Sequence, residues 1–165
     1  MDTKILDEKL EKFFNNEGFD VRVSSNKDFA YEYATSTVYY SFLVPKMGGE
    51  LHKKYALAHG LEYDCGSFFL GLLHEVGHHF TLDELEEDEE EYCMNMKKNL
   101  HGESVEDNFT YFDLPDEKLA TEWAINYINR NKPKLFKLAI EIQPIINNIY
   151  NQLETVRTKR KFLSC

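Results

Sequence analysis

One stretch decides how this 165-residue chain is organised: residues 66–80, with the sequence GSFFLGLLHEVGHHF. Its apolar residues recur at helical spacing, so residues 66–80 are predicted to form a helix. The pentapeptide His74-Glu75-Val76-Gly77-His78 lies inside that helix. Histidines four residues apart share one helix face, with their Cβ atoms about 5–6 Å apart.

Histidines in this arrangement are typical of a zinc site. Two imidazoles at that spacing can both reach one zinc ion at about 2.0–2.1 Å. Glu75 follows the first histidine and can take the proton of a water that zinc has made acidic. Gly77 costs roughly 1 kcal/mol in a helix interior, which predicts that another backbone passes close to it. The competing interpretation is a chance motif on a helical scaffold without metal.

A third protein ligand is expected, because a catalytic zinc site usually has three and keeps one position open. The downstream candidates are Glu122, His101, Glu103 and Asp107. Glu122 is preferred because it lies in an apolar helix predicted over residues 115–130. A charge inside such a helix is costly unless it is paired or coordinated. The alternative for Glu122 is a position facing solvent.

The periodicity around this helix predicts an α+β, zincin-like domain. Residues 19–44 alternate apolar and polar side chains, which predicts a small, mainly antiparallel sheet of two or three strands. Residues 101–111 are polar and are predicted to form a loop. The chain is interpreted as one domain, 1–165, with residues 134–161 as a C-terminal helical extension packed on it. Helices are also predicted over residues 3–15, 50–59, 92–100 and 115–130, with a break at 131–133 and a kink near Pro144.

The motif His74-Glu75-Val76-Gly77-His78, followed by Glu122-Trp123-Ala124-Ile125-Asn126-Tyr127, resembles the ImmA/IrrE-type metallopeptidase family. That family pairs a HExxH helix with a later helix bearing Glu-x-Ala-x-x-aromatic, and its gluzincin-like site has two histidines and one glutamate on zinc. The resemblance implies that His74, His78 and Glu122 are ligands and that Glu75 is the base. Some members occur in phages and mobile elements and cleave or relieve transcriptional repressors, which implies a regulatory protein as substrate.

Four further residues are candidates for a supporting role at the site. A tetrahedral oxyanion needs a hydrogen-bond donor, and Tyr111, Tyr127 or His101 could supply it. Asn126 lies one turn after Glu122 and could orient a ligand.

Three positions carry weaker expectations. His79 points about 100° away from His78 and is not expected to be a ligand. His52 is expected on the surface of its own short helix. An extended substrate is expected to pair with an edge strand within Thr37 to Val44.

Charge and composition narrow the class of protein. The formal net charge of −10 argues against a general nucleic-acid binder. Residues 83–91 alone carry eight acids and no base. We expect them to form a solvated loop or helix end, and the alternative is a gate that favours basic substrates.

The expected compartment is the cytoplasm, or the host cytoplasm if the chain is phage-encoded. Three cysteines favour a reducing environment. Residues 1–10 lack the apolar stretch of a signal peptide, and no apolar run has the length of a membrane span.

Together these patterns predict a zinc-dependent endopeptidase that acts on a protein or peptide, with no membrane or nucleic-acid partner. The alternative is a non-catalytic, zinc-stabilised module that binds or regulates another protein. The sequence makes no prediction of oligomeric state.

Overall fold

The computed structural model describes residues 3–41, 46–62, 66–100 and 104–163. Within these ranges one α-helix precedes the three strands along the chain and the other α-helices follow them. The fold is of the α+β class, as predicted. The helices are α1 (Lys4–Asn16), α2 (Lys46–Ala58), α3 (Ser67–Thr81), α4 (Glu87–Asn99), α5 (Val105–Phe112) and α6 (Pro115–Leu163), and the strands are β1 (Arg22–Ser25), β2 (Ala30–Glu32) and β3 (Thr37–Tyr40).

The sheet is mixed, with strand order β1-β3-β2. β2 pairs with β3 in antiparallel fashion, as predicted, but β1 and β3 are parallel. The chain reverses direction between β1 and β2 and again between β2 and β3, so β1 and β3 run in the same direction. Because β3 lies between the other two strands, it pairs with β1 in parallel. Since β3 is the central strand, the expectation of a substrate-pairing edge within Thr37 to Val44 is wrong over Thr37–Tyr40, and residues 42–44 lie outside the described residues. The two edges belong to β1 and β2.

Helix α1 packs against the sheet through its apolar face. Leu6, Leu10 and Phe14 are buried at the three- and four-residue spacing of one helix stripe. They join Val38 and Tyr40 of β3 in the same hydrophobic core. The N-terminal helix predicted over residues 3–15 is confirmed.

Helix α3 is the central element, and it forms where the sequence predicts it. Leu70, Leu72, Leu73 and Val76 are all fully buried. A Cβ atom on Gly77 would lie 2.5 Å from the carbonyl oxygen of Ala120 in α6. The predicted close approach of another backbone at Gly77 is therefore confirmed.

The second half of the acidic run, residues 87–91, forms the start of α4 and is a helix end, one of the two forms expected for the run, while Asp83 and Glu84 lie in a short helical turn before it. Glu86 and Glu89 make a reciprocal capping box. The acids that follow occupy the first turn, where the helix dipole favours negative charge.

The predicted loop over residues 101–111 is wrong over the part that the structure describes. α5 begins at Val105 because the Ser104 side chain accepts a hydrogen bond of 2.9 Å from the Asp107 backbone N–H. The rings of Phe109 and Phe112 then pack against Tyr55 of α2. A cap and two aromatic contacts thus outweigh the polar composition.

Helix α6 changes direction at Asn131, where φ is −122° and ψ is 21°. This is the predicted break, two residues before Pro133, whose ring and missing N–H disfavour a regular helix. At Pro144, where a kink is predicted, the helix continues, and the only non-helical φ and ψ among the described residues of α6 are those of Asn131. The later part of α6 packs on the core through Leu135, Leu138, Ile142 and Ile149. No helix within the described ranges is long and apolar enough to cross a membrane.

Candidate metal centre

Three buried side chains bring their ligand atoms together where α3 meets the start of α6. They are His74, His78 and Glu117, and their ligand atoms lie within 4.8 Å of one another. Glu117 Oε2 is 2.9 Å from His74 Nε2 and 3.6 Å from His78 Nε2. The exposed fraction of Glu117 is only 1%. A carboxylate buried this deeply requires strong partners.

Helix geometry explains why these groups meet. The two histidines lie on the face of α3 that is turned towards α6. Gly77, between them, allows the backbone of α6 to approach at Ala120. Glu117 precedes Ala120 by about one helical turn, so its side chain lies beside the imidazoles.

The donor set fits a zinc ion. Two imidazole nitrogens and a carboxylate oxygen are the ligands of a histidine-histidine-glutamate catalytic site. Ligand atoms at about 2.0–2.1 Å from a tetrahedral ion are roughly 3.3–3.4 Å apart. The two separations that involve Glu117, 2.9 and 3.6 Å, bracket that value, and all three ligand atoms lie within 4.8 Å of one another. The group could therefore hold a metal ion with small shifts of its side chains.

The second oxygen of Glu117 is held by a lysine from α4. Lys97 Nζ lies 2.5 Å from Glu117 Oε1 and 2.5 Å from Asp116 Oδ2. Burial alone would lower the pKa of Lys97, but the charges of Glu117 and Asp116 raise it to about 12. The lysine is therefore cationic at neutral pH and leaves Oε2 as the oxygen that faces the histidines.

The carboxylate and the first histidine stabilise each other's charged forms. Burial would raise the pKa of Glu117, but its hydrogen bond to His74 and the proximity of His78 hold that pKa well below its usual range. Burial opposes the protonation of His74, yet contact with Glu117 raises the pKa of His74 above its ordinary value. A metal ion would replace the proton that the two groups otherwise share.

Glu75 is buried beside the three ligand residues. Burial raises the pKa of its carboxyl group. It lies on α3 directly after His74, and it is near enough to both histidines for their charges to oppose that rise. A carboxylate with a raised pKa in this position can accept a proton from a bound water.

Of the predicted supporting residues, Tyr111 lies at the site. Burial raises the pKa of its hydroxyl, and the nearby negative charge of Glu117 raises it further. Lys97 Nζ lies 5.2 Å from the centre of the Tyr111 ring. Tyr111 and Lys97 thus cover the carboxylate from the side of α4 and α5.

The prediction of Glu122 as third ligand is not met by the structure, which brings Glu117 to the histidines instead. Residues 117 and 122 are five positions apart, or about 140° around a helix, so they lie on different faces. Glu117 is fully buried, whereas Glu122 is partly exposed.

Two supporting candidates on the same helix also lie elsewhere. Asn126 is exposed. The Tyr127 hydroxyl donates to Glu17 Oε2 at 3.0 Å, and its ring stacks on Trp123. His101 and Glu103 lie outside the described residues.

Besides Glu117, three polar residues at the site were not predicted from the sequence: Lys97, His52 and Thr121. Lys97 carries no local signal, because its partners come from another helix. His52 is buried and not on the surface as expected, and its Nε2 lies 2.9 Å from Thr121 Oγ1. The same hydroxyl lies 3.1 Å from His74 Nδ1. A threonine in an apolar helix, one turn after an acid, is the only trace of this contact in the sequence.

His79 points away from the ligand group, as expected, and contacts the sheet. Its Nδ1 lies 2.7 Å from the Tyr31 hydroxyl of edge strand β2. Tyr33 follows that strand. Burial raises the pKa of Tyr33 to about 12, and the charges of Lys97, Asp116 and Glu117 also act on it. The end of β2 therefore lies near the cluster.

A separate cavity of about 520 Å³ lies between the start of α3 and the later part of α6. Its walls include Phe69, Leu135 and Ile142, and none of the three ligand residues lines it.

Comparisons of the chain with protein-family models, with curated proteins and with solved structures found no match.

Proposed function

We propose that this protein is a zinc-dependent endopeptidase in which His74, His78 and Glu117 hold the metal and Glu75 is the general base. The buried His74-His78-Glu117 group, with Glu75 beside it, is the observation that carries the proposal. Lys97 supports the ligand set from outside by binding the second oxygen of Glu117. Hydrogen bonds to a ligating carboxylate typically fix its orientation.

The residues of the site suit hydrolysis of a peptide bond. A zinc ion, when bound, polarises the scissile carbonyl and lowers the pKa of water. Glu75 then takes the proton of the attacking water and delivers it to the leaving amine as the C–N bond breaks. The raised pKa of Glu75 makes its carboxylate a stronger base, which favours the first of these transfers. Tyr111 remains our candidate for the donor that stabilises the oxyanion.

An extended peptide is expected to pair with strand β2. This strand is a sheet edge, and it is joined to α3 by the bond between Tyr31 and His79. Main-chain pairing to an edge strand gives affinity without strong sequence preference. The resemblance to ImmA/IrrE-type peptidases supports a regulatory protein as substrate. With Glu117 as the acid it rests on the HExxH motif alone, because the sequence that follows Glu117 does not fit the Glu-x-Ala-x-x-aromatic pattern.

The proposal is tested with three single variants and a casein or peptide-library substrate. Glu75→Gln should keep zinc, measured as metal per chain, and lower the cleavage rate by about 100-fold or more. Glu117→Gln should lose zinc, because an amide is a weaker ligand than a carboxylate. Glu122→Gln is the matched control on the same helix and should keep both zinc and activity. Unchanged cleavage by Glu75→Gln would refute the mechanism.

A non-catalytic zinc-stabilised module is the second candidate, and the burial of the site favours it. Glu75 is 9% exposed, and Lys97 binds the outer oxygen of Glu117, so the described residues leave little of the site open to a polypeptide. X-ray absorption of the zinc-loaded protein separates the two functions. Three protein ligands and one water support the enzyme, whereas four protein ligands support the module.

A further inference from the structure

Behind His74, on the side away from Glu117, a threonine hydroxyl lies between two buried imidazoles. Thr121 Oγ1 is 3.1 Å from His74 Nδ1 and 2.9 Å from His52 Nε2. Thr121 is completely buried, and both histidines are 5% exposed. His52, Thr121 and His74 thus form a buried hydrogen-bond chain, which joins α2, α6 and α3.

Ring contacts hold His52 in this hydrogen-bond chain. Its imidazole stacks on Phe112 of α5, with ring centres 4.7 Å apart and an angle of 7° between the planes. Its centre is also 4.7 Å from that of His74, with the planes at 87°. These contacts restrict rotation of the ring and keep Nε2 directed at Thr121.

The number of available protons determines which atom donates at each step of the hydrogen-bond chain. Within the described residues, the hydrogen-bond partners of Thr121 Oγ1 are the two imidazoles. The hydroxyl has one proton, so it donates to one ring nitrogen and accepts from the other. If His74 Nε2 offers its lone pair to a metal, then His74 Nδ1 carries the proton and donates to Thr121. Thr121 must then donate to His52 Nε2.

We propose that Thr121 and His52 are positioning residues that fix His74 with its proton on Nδ1 and the lone pair of Nε2 directed at the metal. The proposal rests on the metal site of the proposed function, but not on peptide hydrolysis. A ligating histidine commonly donates its other N–H to a carboxylate or a carbonyl. In this chain a hydroxyl receives it and passes the bond on to a second histidine.

The environment of His52 suits the role of acceptor. The residue is only 5% exposed and its ring stacks on Phe112. A neutral imidazole has one ring nitrogen that accepts and one that donates, so Nε2 can accept from Thr121. The proton that remains on the ring is then at Nδ1.

The affinity for zinc tests the chain, measured by competition with a chromophoric chelator. Thr121→Val keeps the shape but removes the hydroxyl, and it should weaken zinc binding by about 10- to 100-fold. Thr121→Ser restores the hydroxyl and should recover most of the affinity. Thr81→Val is the matched control, because Thr81 is also buried and its hydroxyl donates only to the Gly77 carbonyl, at 3.0 Å. It should bind zinc as the unaltered protein does.

Nitrogen-15 NMR of the unaltered, zinc-loaded protein tests the direction without any variant. Long-range proton–nitrogen spectra distinguish the protonated ring nitrogen of each histidine. His74 should be protonated at Nδ1, and His52 should be protonated at Nδ1 with Nε2 free. His52→Phe keeps the stacking on Phe112, assigns the His52 signals and should itself weaken zinc binding.

The outcomes are distinct. Equal zinc affinity of Thr121→Val and the unaltered protein overturns the proposal, and so does a His52 protonated at Nε2 in the zinc-loaded state. If Thr121→Val does not fold, His52→Phe and the NMR spectra decide. If the protein binds zinc but cleaves nothing, the proposed peptidase function fails while the positioning chain is still tested. If it binds no zinc, both fail.

Discussion

The two carboxylate oxygens of Glu117 face different partners. Its Oε2 faces His74 and His78, while its Oε1 is bound by Lys97. The carboxylate is thus satisfied on one side by a cation and on the other by imidazoles. Which partner compensates its charge depends on whether a metal is present.

Replacement of Lys97 should destabilise the metal-free protein more than the zinc-loaded one. Lys97→Met keeps the aliphatic stem but leaves Asp116 and Glu117 without their cation. Removing one partner of a buried pair costs about 3–5 kcal/mol, and we expect roughly 2–3 kcal/mol because Lys97 is 31% exposed. Zinc should reduce that difference, since it compensates Glu117 directly. Urea unfolding with zinc and with a chelator measures both values.

Lys98→Met is the control for this change. Lys98 is the next residue on α4 and is exposed, so its loss should leave the free energy of unfolding nearly unchanged. A similar small effect for both variants would show that the contact between Lys97 and Glu117 does not stabilise the fold.

At the scale of elements, the site depends on how closely α3 and α6 cross. The atoms that a Cβ on Gly77 would meet are the carbonyl oxygen, Cα and carbonyl carbon of Ala120, at 2.5, 2.8 and 3.0 Å. These are backbone atoms, which cannot rotate away. The separation of the two helices is therefore fixed at this point.

Gly77→Ala should unfold the protein more easily despite the better helix propensity of alanine. Alanine gains about 1 kcal/mol over glycine in a helix, but the collision forces the two helices apart, and overpacking costs about 1–3 kcal/mol or more. We expect a net loss of stability and weaker zinc binding, measured by thermal unfolding and by chelator competition.

Gly71→Ala, on the same helix, is the matched control. Its new Cβ would meet only the ring of Phe29, at 3.2 Å and beyond, and a side chain can move. It should be tolerated much better than Gly77→Ala. If both variants behave alike, the helix crossing is not what position 77 requires.

The elements differ in how well local sequence predicts them. Periodic apolar residues predict α1 and α3 within a few positions. Helix α1 buries one face, whereas α3 is buried on all sides over residues 72–78. α5 is not predicted, since its stability comes from the Ser104 cap and from ring contacts with α2. The direction of β1 relative to β3 depends on which strands pair, and spacing along the chain does not contain that information.

At the scale of the molecule, Glu17 joins the end of α1 to both sides of the bend in α6. Its carboxylate accepts from Tyr127 Oη at 3.0 Å and from Lys134 Nζ at 2.7 Å. Asn131 lies between these two partners in sequence. The contact therefore stabilises the bend as well as the packing of the N-terminal helix.

This contact makes part of the stability dependent on pH. The hydrogen bond from Lys134 outweighs burial and lowers the pKa of Glu17 below its ordinary value. A carboxyl with a lowered pKa stabilises the fold above its unfolded-state pKa and loses that effect as the pH falls through the folded-state value.

Glu17→Gln should therefore lower the free energy of unfolding at pH 7 by about 1 kcal/mol or less, since water screens the half-exposed Lys134. The difference from the unaltered protein should disappear in acid, below the folded-state pKa of Glu17. Urea unfolding at neutral and at acidic pH measures it. Glu8→Gln, at an exposed position of α1, is the control. A difference that grows in acid would contradict the assignment.

The site could be predicted in part, and the division has a physical cause. His74, Glu75 and His78 follow from spacing within one helix. The third acid could be placed on the correct helix but not on the correct face, because the orientation of α6 is set by its contacts with α3. A charge within an apolar stretch suggested Glu122, while the buried acid is Glu117, one of two acids in the first turn of α6, where acids are common for reasons of the helix dipole alone.

The contact at Gly77 also matters for protein design. The three ligand residues could be copied onto another scaffold as a five-residue motif and one acid, but their separation comes from a backbone-to-backbone approach that side chains cannot reproduce. The smallest portable unit of this site is therefore the crossed pair formed by α3 and the first turns of α6, including the glycine. A graft that moves the histidines and the glutamate without that crossing would carry the ligands but not the distances between them.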